Sequence, residues 1–498
     1  MGSEVAVPLY LKREAVQLKR RAARAVPRAR SAKPRQGMSV NALLGMGLWT
    51  LLWLGYNTDL AGWSNADFPA NTTALIHGVR ALFPVMGAWF ALLLIIARSK
   101  WLVPWLMGPL GFMLVYAVTG LISSWTFSPD PATGLYYGAN YLAIVLVLLA
   151  IVLVEDPLHD LRKVLNFTWT VGTMITLSLL GAIPFLGAAA LSRKEISPVG
   201  KVAYFRVVRI MGMAGTRNTG FARYAAISAL VALAALLRKG KPVSRMVWGI
   251  LFAASIYALI IANGRTETVA FVASVAVVFA VDRAYRFLNL LLGMVTVLAL
   301  GFRGFYSAFY LYITRTGHLD LTMTGRTQAW QEGWRLLAQS PWVGFGFEAD
   351  SLCLGLHLHN AFLHALLQSG LLAGGAMILG LGIVWYLLIK YFFFRQPTDK
   401  SLIPPEIPAV FLFVTISSFL ESTFAYFSAT WLLSAPIVAY VIALHRHMRR
   451  ITLKARRERL LGRIRSGRRK PRVILPSLEE TPSAPGIDNP TDPLEFPF

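Results

Sequence analysis

The chain has 498 residues, of which 56% are hydrophobic and only 15% charged, and it carries a formal net charge of +25. So apolar a composition over this length excludes an ordinary soluble protein, and apolar runs of about twenty residues recur along the chain, which is the membrane-helix signature. The positive excess does not indicate nucleic acid as a partner. Much of it lies in Lys12 to Arg35 and Arg446 to Arg472, clusters that flank apolar spans, where basic residues set topology and attract anionic lipids.

Backbone groups in lipid must satisfy their own hydrogen bonds, so helices are the expected spanning elements. Residues 1–38 form a basic tail expected in the cytoplasm. Spans follow at about 39–56, 73–97 and 101–122, then an outer loop at 123–137 with turn chemistry at Pro129 to Pro131. Further spans are expected at about 138–154 and 164–187, then 221–237, 246–263, 267–281 and 286–302. The last three are expected at about 360–389, 406–423 and 427–445. The resulting fold class is all-α, a polytopic membrane protein with about twelve transmembrane helices and both termini cytoplasmic. Three regions result: the tail 1–38, a transmembrane catalytic domain 39–446 with outer loops 188–220 and 303–358, and a tail 447–498. Residues 449–472 of that last tail suit a basic interfacial helix, and the acidic, proline-rich remainder is expected to be disordered.

One outer segment breaks the charge bias. Residues 188–220 carry Arg193, Lys194, Lys201, Arg206, Arg209 and Arg217 against one acid, Glu195. Cations held outside, against the usual rule, point to an anionic ligand there. Arg265 adds to them at the outer entrance of the eighth span. The long outer loop adds Arg303, Arg315, Arg326, Arg335, Glu332, Glu348, Asp350, His357 and His359. Arginine binds phosphate bidentately, and a histidine can take a proton from an attacking hydroxyl. Together they suit attack on a bond whose leaving group is a phosphate or diphosphate. The single cysteine, Cys353, forms no intrachain disulfide, and the eight histidines have no HExxH-type spacing. No tightly bound metal and no cofactor are expected.

Several short elements now occur in a telling order. Arg326 to Trp330 form Arg-x-x-x-Trp, Pro341 is followed by Gly344 and Gly346, and His359-Asn360 opens the next span, which continues HNAFLHALLQSGLLAGG. Upstream lie Asn263-Gly264-Arg265, and Arg209, Gly212 and Asn218 before Phe221-Ala222-Arg223-Tyr224. This pattern resembles the bacterial O-antigen ligases and their polymerase relatives, at motif level over about residues 200–390 and in span layout over the whole chain. It departs from them where Ala373 takes the place of a second glycine, and in lacking a proline beside the upstream asparagine.

The resemblance implies a metal-independent, inverting glycosyltransferase of the bacterial inner membrane. The donor would be a glycan on undecaprenyl diphosphate, and the acceptor a sugar hydroxyl on a lipid core or on another lipid-linked glycan. His359 would be the general base, with Arg265 and Arg326 stabilising the leaving diphosphate. Arg206, Arg209, Arg217, Asn218 and Asn360 would bind substrate. A polymerase of the same family differs only in acceptor. A transporter or lipid-linked glycan flippase would instead favour charges near the middle of several spans. The spans read as nearly charge-free, with charge at the outer face, and this favours an enzyme.

Overall fold

A computed structural model of the chain describes residues 39–465 apart from 57–69, 155, 187–190, 196–200, 206, 211–212, 239–241, 263, 282–325 and 395–401. Contacts divide it into two compact units, 1–447 and 448–498. Each expected span except the ninth, which lies outside the described residues, has a helix at its position. These are α1 Val40–Tyr56, α2 Ala70–Ala97, α4 Pro109–Phe127, α5 Pro131–Val152, α6 Leu158–Leu186, α7 Asn218–Leu237, α8 Pro242–Ala262, α9 Arg265–Val281, α12 Ala361–Leu388, α13 Glu406–Ser418 and α14 Ala429–Arg465. Eight of the described helices are long and apolar enough to cross a membrane. The all-α polytopic fold is thus the observed one.

Packing follows the residue pattern. α7 lies on α8, α12 on α4, α5 against α2 and α4, and α9 on α13. Tyr116, Tyr141, Phe221, Phe413 and Trp431 are fully buried between helices. Leu82, Trp89, Met246, Ile250, Ile260 and Leu372 stay exposed on the bundle surface. That apolar exterior is what lipid contact requires.

Three segments differ from expectation. The third span does not start at residue 101. A 3-10 turn, Ser99–Trp101, and a short helix α3, Leu102–Leu106, come first. α4 then starts at Pro109, where proline needs no donor in the first turn. The outer loop expected at 123–137 shrinks to 128–130. There Asp130 caps α5 by accepting from Thr133 N at 3.2 Å and from Thr133 Oγ1 at 2.6 Å, with Pro131 at the first helical position. The same Asp-Pro chemistry that reads as a turn also starts a helix. The basic segment 188–220, read only as a loop, contains two antiparallel hairpins. β1 (Leu191–Glu195) pairs with β2 (Lys201–Phe205), and β3 (Val207–Ile210) pairs irregularly with β4 (Met213–Arg217).

The long loop is partly helical, with α10 at Arg326–Gln339 and α11 at Ala349–Leu354. Between them, residues 341–347 wedge into a break in α12. Gly370 there has φ 70° and ψ −179°, and the freed backbone groups pair with the wedge. Leu371 N donates to Pro341 O at 2.7 Å, Phe345 N to Leu367 O at 2.8 Å and Gly346 N to Gln368 O at 2.9 Å. Ser123 and Ser124 of α4 hold its other side, Ser123 Oγ donating to Val343 O at 2.6 Å and Phe347 N donating to Ser124 Oγ at 2.8 Å. Non-helical backbone at membrane depth is tolerated when protein satisfies it in this way. The wedge braces the first part of α12, which follows directly on His359 and Asn360.

Candidate active site

Glu421, in the turn between α13 and α14, is the meeting point of the site. Its Oε2 lies 3.2 Å from His359 Nδ1 and 3.1 Å from an Arg223 guanidinium nitrogen. Its Oε1 lies 3.5 Å from Arg326 at the start of α10. Arg223 Nε also donates to Glu267 Oε1 of α9 at 3.2 Å, and Glu267 is 1% exposed. Five side chains from five parts of the chain therefore share one charged knot at the ends of α7, α9, α12 and α13. Burial alone would raise the Glu421 carboxyl. Arg223, the hydrogen bond and charge of His359, and Arg326 reverse this and hold it at about 2. An ionised Glu421 accepts from His359 Nδ1–H, which leaves Nε2 as the ring's proton acceptor.

His359 has a left-handed backbone, φ 49°, which is strained for any residue but glycine. Its neighbours hold it there. Leu358 is fully buried, its N–H donates to Asp350 Oδ2 at 3.0 Å, and its carbonyl accepts from Trp330 Nε1 at 2.7 Å. On the other side Asn360 caps α12, its Oδ1 accepting from Phe362 N and Leu363 N, each at 3.0 Å. Trp330 is the tryptophan of the Arg-x-x-x-Trp element, so that spacing has a structural reason. Arg326 reaches Glu421, and Trp330, one turn on, anchors the residue before His359.

Of the residues expected from sequence, His359 and Arg326 are brought together. Arg265 opens α9 at the same end of the bundle, two residues before Glu267. Gly264 beside it packs so tightly on α7 that a Cβ would meet Ala222 Cβ at 2.7 Å. Arg209 and Arg217 lie on β3 and β4, paired across to Ala214 and Val207, and Asn218 starts α7. Arg206 lies outside the described residues. The contacts of Asn360 are structural, since its Nδ2 also donates to Phe419 O at 3.3 Å. The spans are also less charge-free than they read. Glu267, Arg223, Glu406 and Glu421 all fall within or at the ends of expected spans. Sequence reading missed Glu421 and gave Arg223 no role. The available signal was a lone acid in the apolar stretch FLESTFAYF, which is costly unless paired.

A second polar group lies behind His359. His357 Nδ1 is 3.6 Å and His364 Nδ1 3.2 Å from Asp350 Oδ2. Burial would raise the Asp350 carboxyl, but His364, His357 and the Leu358 N–H hold it far below the usual range. The His357 and His359 rings are 6.0 Å apart between centroids.

The fold and this knot define a class: a multi-pass membrane protein whose paired histidine and arginines face one end of the helix bundle. Residues 250–378 match the O-Antigen ligase family model, so this segment of the chain is similar to that family. The match covers Arg265, Arg326, the wedge and His359, whereas Arg223 and Glu421 lie outside it. No curated protein matches the chain.

Proposed function

We propose that the protein transfers a glycan from undecaprenyl diphosphate to a sugar hydroxyl, on the outer face of the bacterial inner membrane. The observation that carries this reading is the His359–Glu421 pair set between Arg223 and Arg326. The acceptor oxygen attacks the anomeric carbon of the donor while its proton passes to His359 Nε2. The bond from that carbon to the diphosphate oxygen breaks on the opposite face, and its electron pair leaves with undecaprenyl diphosphate. A single displacement inverts the anomeric centre. Glu421 stabilises the imidazolium that forms. Arg326 and Arg265 meet the charge developing on the diphosphate, the role a metal has in other phosphate-leaving reactions. Arg209 and Arg217, on the hairpins that lead into α7, and Asn218 are proposed to extend this anion site.

The test is glycan transfer and lipid-linked donor binding by purified His359→Ala and His357→Ala variants, side by side. His359→Ala is expected to lose about 10²–10⁴-fold in transfer and to keep donor binding, because the diphosphate contacts remain. His357→Ala is expected to lose much less. Normal transfer by His359→Ala removes the assignment. The acceptor is read from a deletion strain: accumulated long lipid-linked chains identify a ligase, and accumulated single units a polymerase.

A further inference from the structure

The group behind His359 has the composition of a metal site. Glu348, Asp350 and His357 each bring a ligand atom to within 4.8 Å of the other two. Asp350 is 1% exposed and Glu348 8%. A second observation comes from α12. His364, 1% exposed, turns Nδ1 to within 3.2 Å of Asp350 Oδ2. Even so, neither of its ring nitrogens has a hydrogen-bond partner among the described residues, and neither does Asp350 Oδ1. Buried polar atoms normally find partners, and one left without is destabilising. Two of these atoms, His364 Nδ1 and Asp350 Oδ1, belong to one crowded contact. Ser351 Oγ bridges the rest, 3.2 Å from both Glu348 Oε2 and His357 Nδ1.

We propose that Glu348, Asp350 and His357, backed by His364, bind one divalent transition-metal ion that staples the 348–358 segment to α12. With both imidazoles neutral, as metal ligands must be, the two carboxylates leave a local charge that a dication cancels. Mixed nitrogen and oxygen donors suit Zn²⁺ or Mn²⁺, whereas Ca²⁺ and Mg²⁺ take oxygen. Ligand atoms around Zn²⁺ stand about 3.4 Å apart, so the three must close in by about an ångström. His357, more than half exposed, has room to move. The ion does not enter the transfer chemistry proposed above. It fixes the residue two positions before His359, and so holds the strained backbone that aims the base.

The test uses full-length protein in detergent, stripped with a chelator and then titrated with Zn²⁺, Mn²⁺ or Ca²⁺. Bound metal is measured by elemental analysis, and thermal unfolding is followed in parallel. The expected result is one Zn²⁺ per chain, a Tm that falls on stripping and recovers on Zn²⁺ addition, and no such recovery with Ca²⁺. The E348Q and H357Q variants, both at the more accessible side of the group, are expected to keep the stripped protein's Tm and to bind Zn²⁺ at least about ten-fold more weakly. If Zn²⁺ neither binds stoichiometrically nor shifts Tm, the group is a hydrogen-bonded Asp–His cluster and the proposal fails. It fails equally if both variants bind Zn²⁺ as tightly as the wild type. Neither readout depends on glycan transfer, so this outcome is separate from the proposed reaction.

Discussion

Glu421 is a positioning residue: it fixes the tautomer and direction of the His359 ring. Glu421→Gln keeps the shape and removes the charge, and an amide satisfies Nδ1–H less well than a carboxylate. Transfer is expected to fall on the order of 10²-fold with donor binding retained. Glu421 also links folding to acid. Its carboxyl is held at about 2, against an ordinary 4.5, so the folded state is favoured wherever the group is ionised. The contribution, on the order of 3 kcal/mol, is fully present above about pH 4.5 and is lost as pH falls through about 2. Unfolding followed from pH 6 to pH 3 should show a fall that Glu421→Gln lacks, and equal acid sensitivity in both proteins would remove this account. At this scale the sequence was readable where chemistry came with a motif. His359 and Arg326 stand in recognisable spacings. Glu421 and Arg223 are isolated charges in apolar stretches, and their pairing exists only once α7 and α13 are side by side.

Among the elements, the wedge at 341–347 explains the glycines of the motif. Gly344 and Gly370 meet backbone to backbone, and a Cβ on Gly370 would lie 2.1 Å from Trp342 O. A Cβ on Gly346 would lie 2.4 Å from Ser124 Cα, and all three glycines have positive φ. Gly370→Ala is therefore expected to destabilise by about 2–3 kcal/mol or to abolish folding, and transfer falls with it because His359 lies directly before the α12 cap. Gly375, on the same helix with nothing within 4 Å of its would-be Cβ, is the control. Gly375→Ala should unfold at the same temperature or slightly higher. Thermal unfolding of the two variants in detergent decides this, and equal Tm values would mean that the break in α12 is not required. The spacing from Asn360 to Gly370 was visible in the sequence as a family trait. Its cause was not, because it depends on a loop from thirty residues earlier entering the helix. Ala373, where the family pattern has glycine, is buried, and Gly374 takes the close approach, its would-be Cβ 2.6 Å from Ala365 O.

Across the whole molecule, two buried charge clusters mark the ends of the bundle. Opposite the Glu421 knot, Glu406 is held by both Arg162 and Arg238, which ties α13 to α6 and to the end of α7. Arg223 lies in the second turn of α7 and Arg238 just past its end, and the helix's 20 residues span about 30 Å, the thickness of a bilayer's hydrocarbon core. Removing the carboxylate in Glu406→Ala leaves the partly buried Arg162 uncompensated beside the exposed Arg238. It should cost about 3–5 kcal/mol, read as a fall in Tm, while the His359 end keeps its contacts. The Glu406 end also collects the starts of α1 and α6, where Ser39 Oγ donates to Asp160 at 2.5 Å, and the end of α2, where Arg98 donates to Asn41 Oδ1 at 2.9 Å. Arg98, Lys100, Lys163 and Arg238 thus share one face, which the charge bias assigns to the cytoplasm. On this ground we propose that the His359 face is outside, where the proposed reaction would meet exported lipid-linked glycans. Cysteines at two exposed positions test this in a Cys353→Ser background: Arg245→Cys in the first turn of α8, and Arg335→Cys on α10. In right-side-out vesicles an impermeant maleimide should label position 335 directly, and position 245 only after permeabilisation. The opposite pattern would put His359 in the cytoplasm, where no such acceptor is presented, and the proposed reaction would fall with the topology.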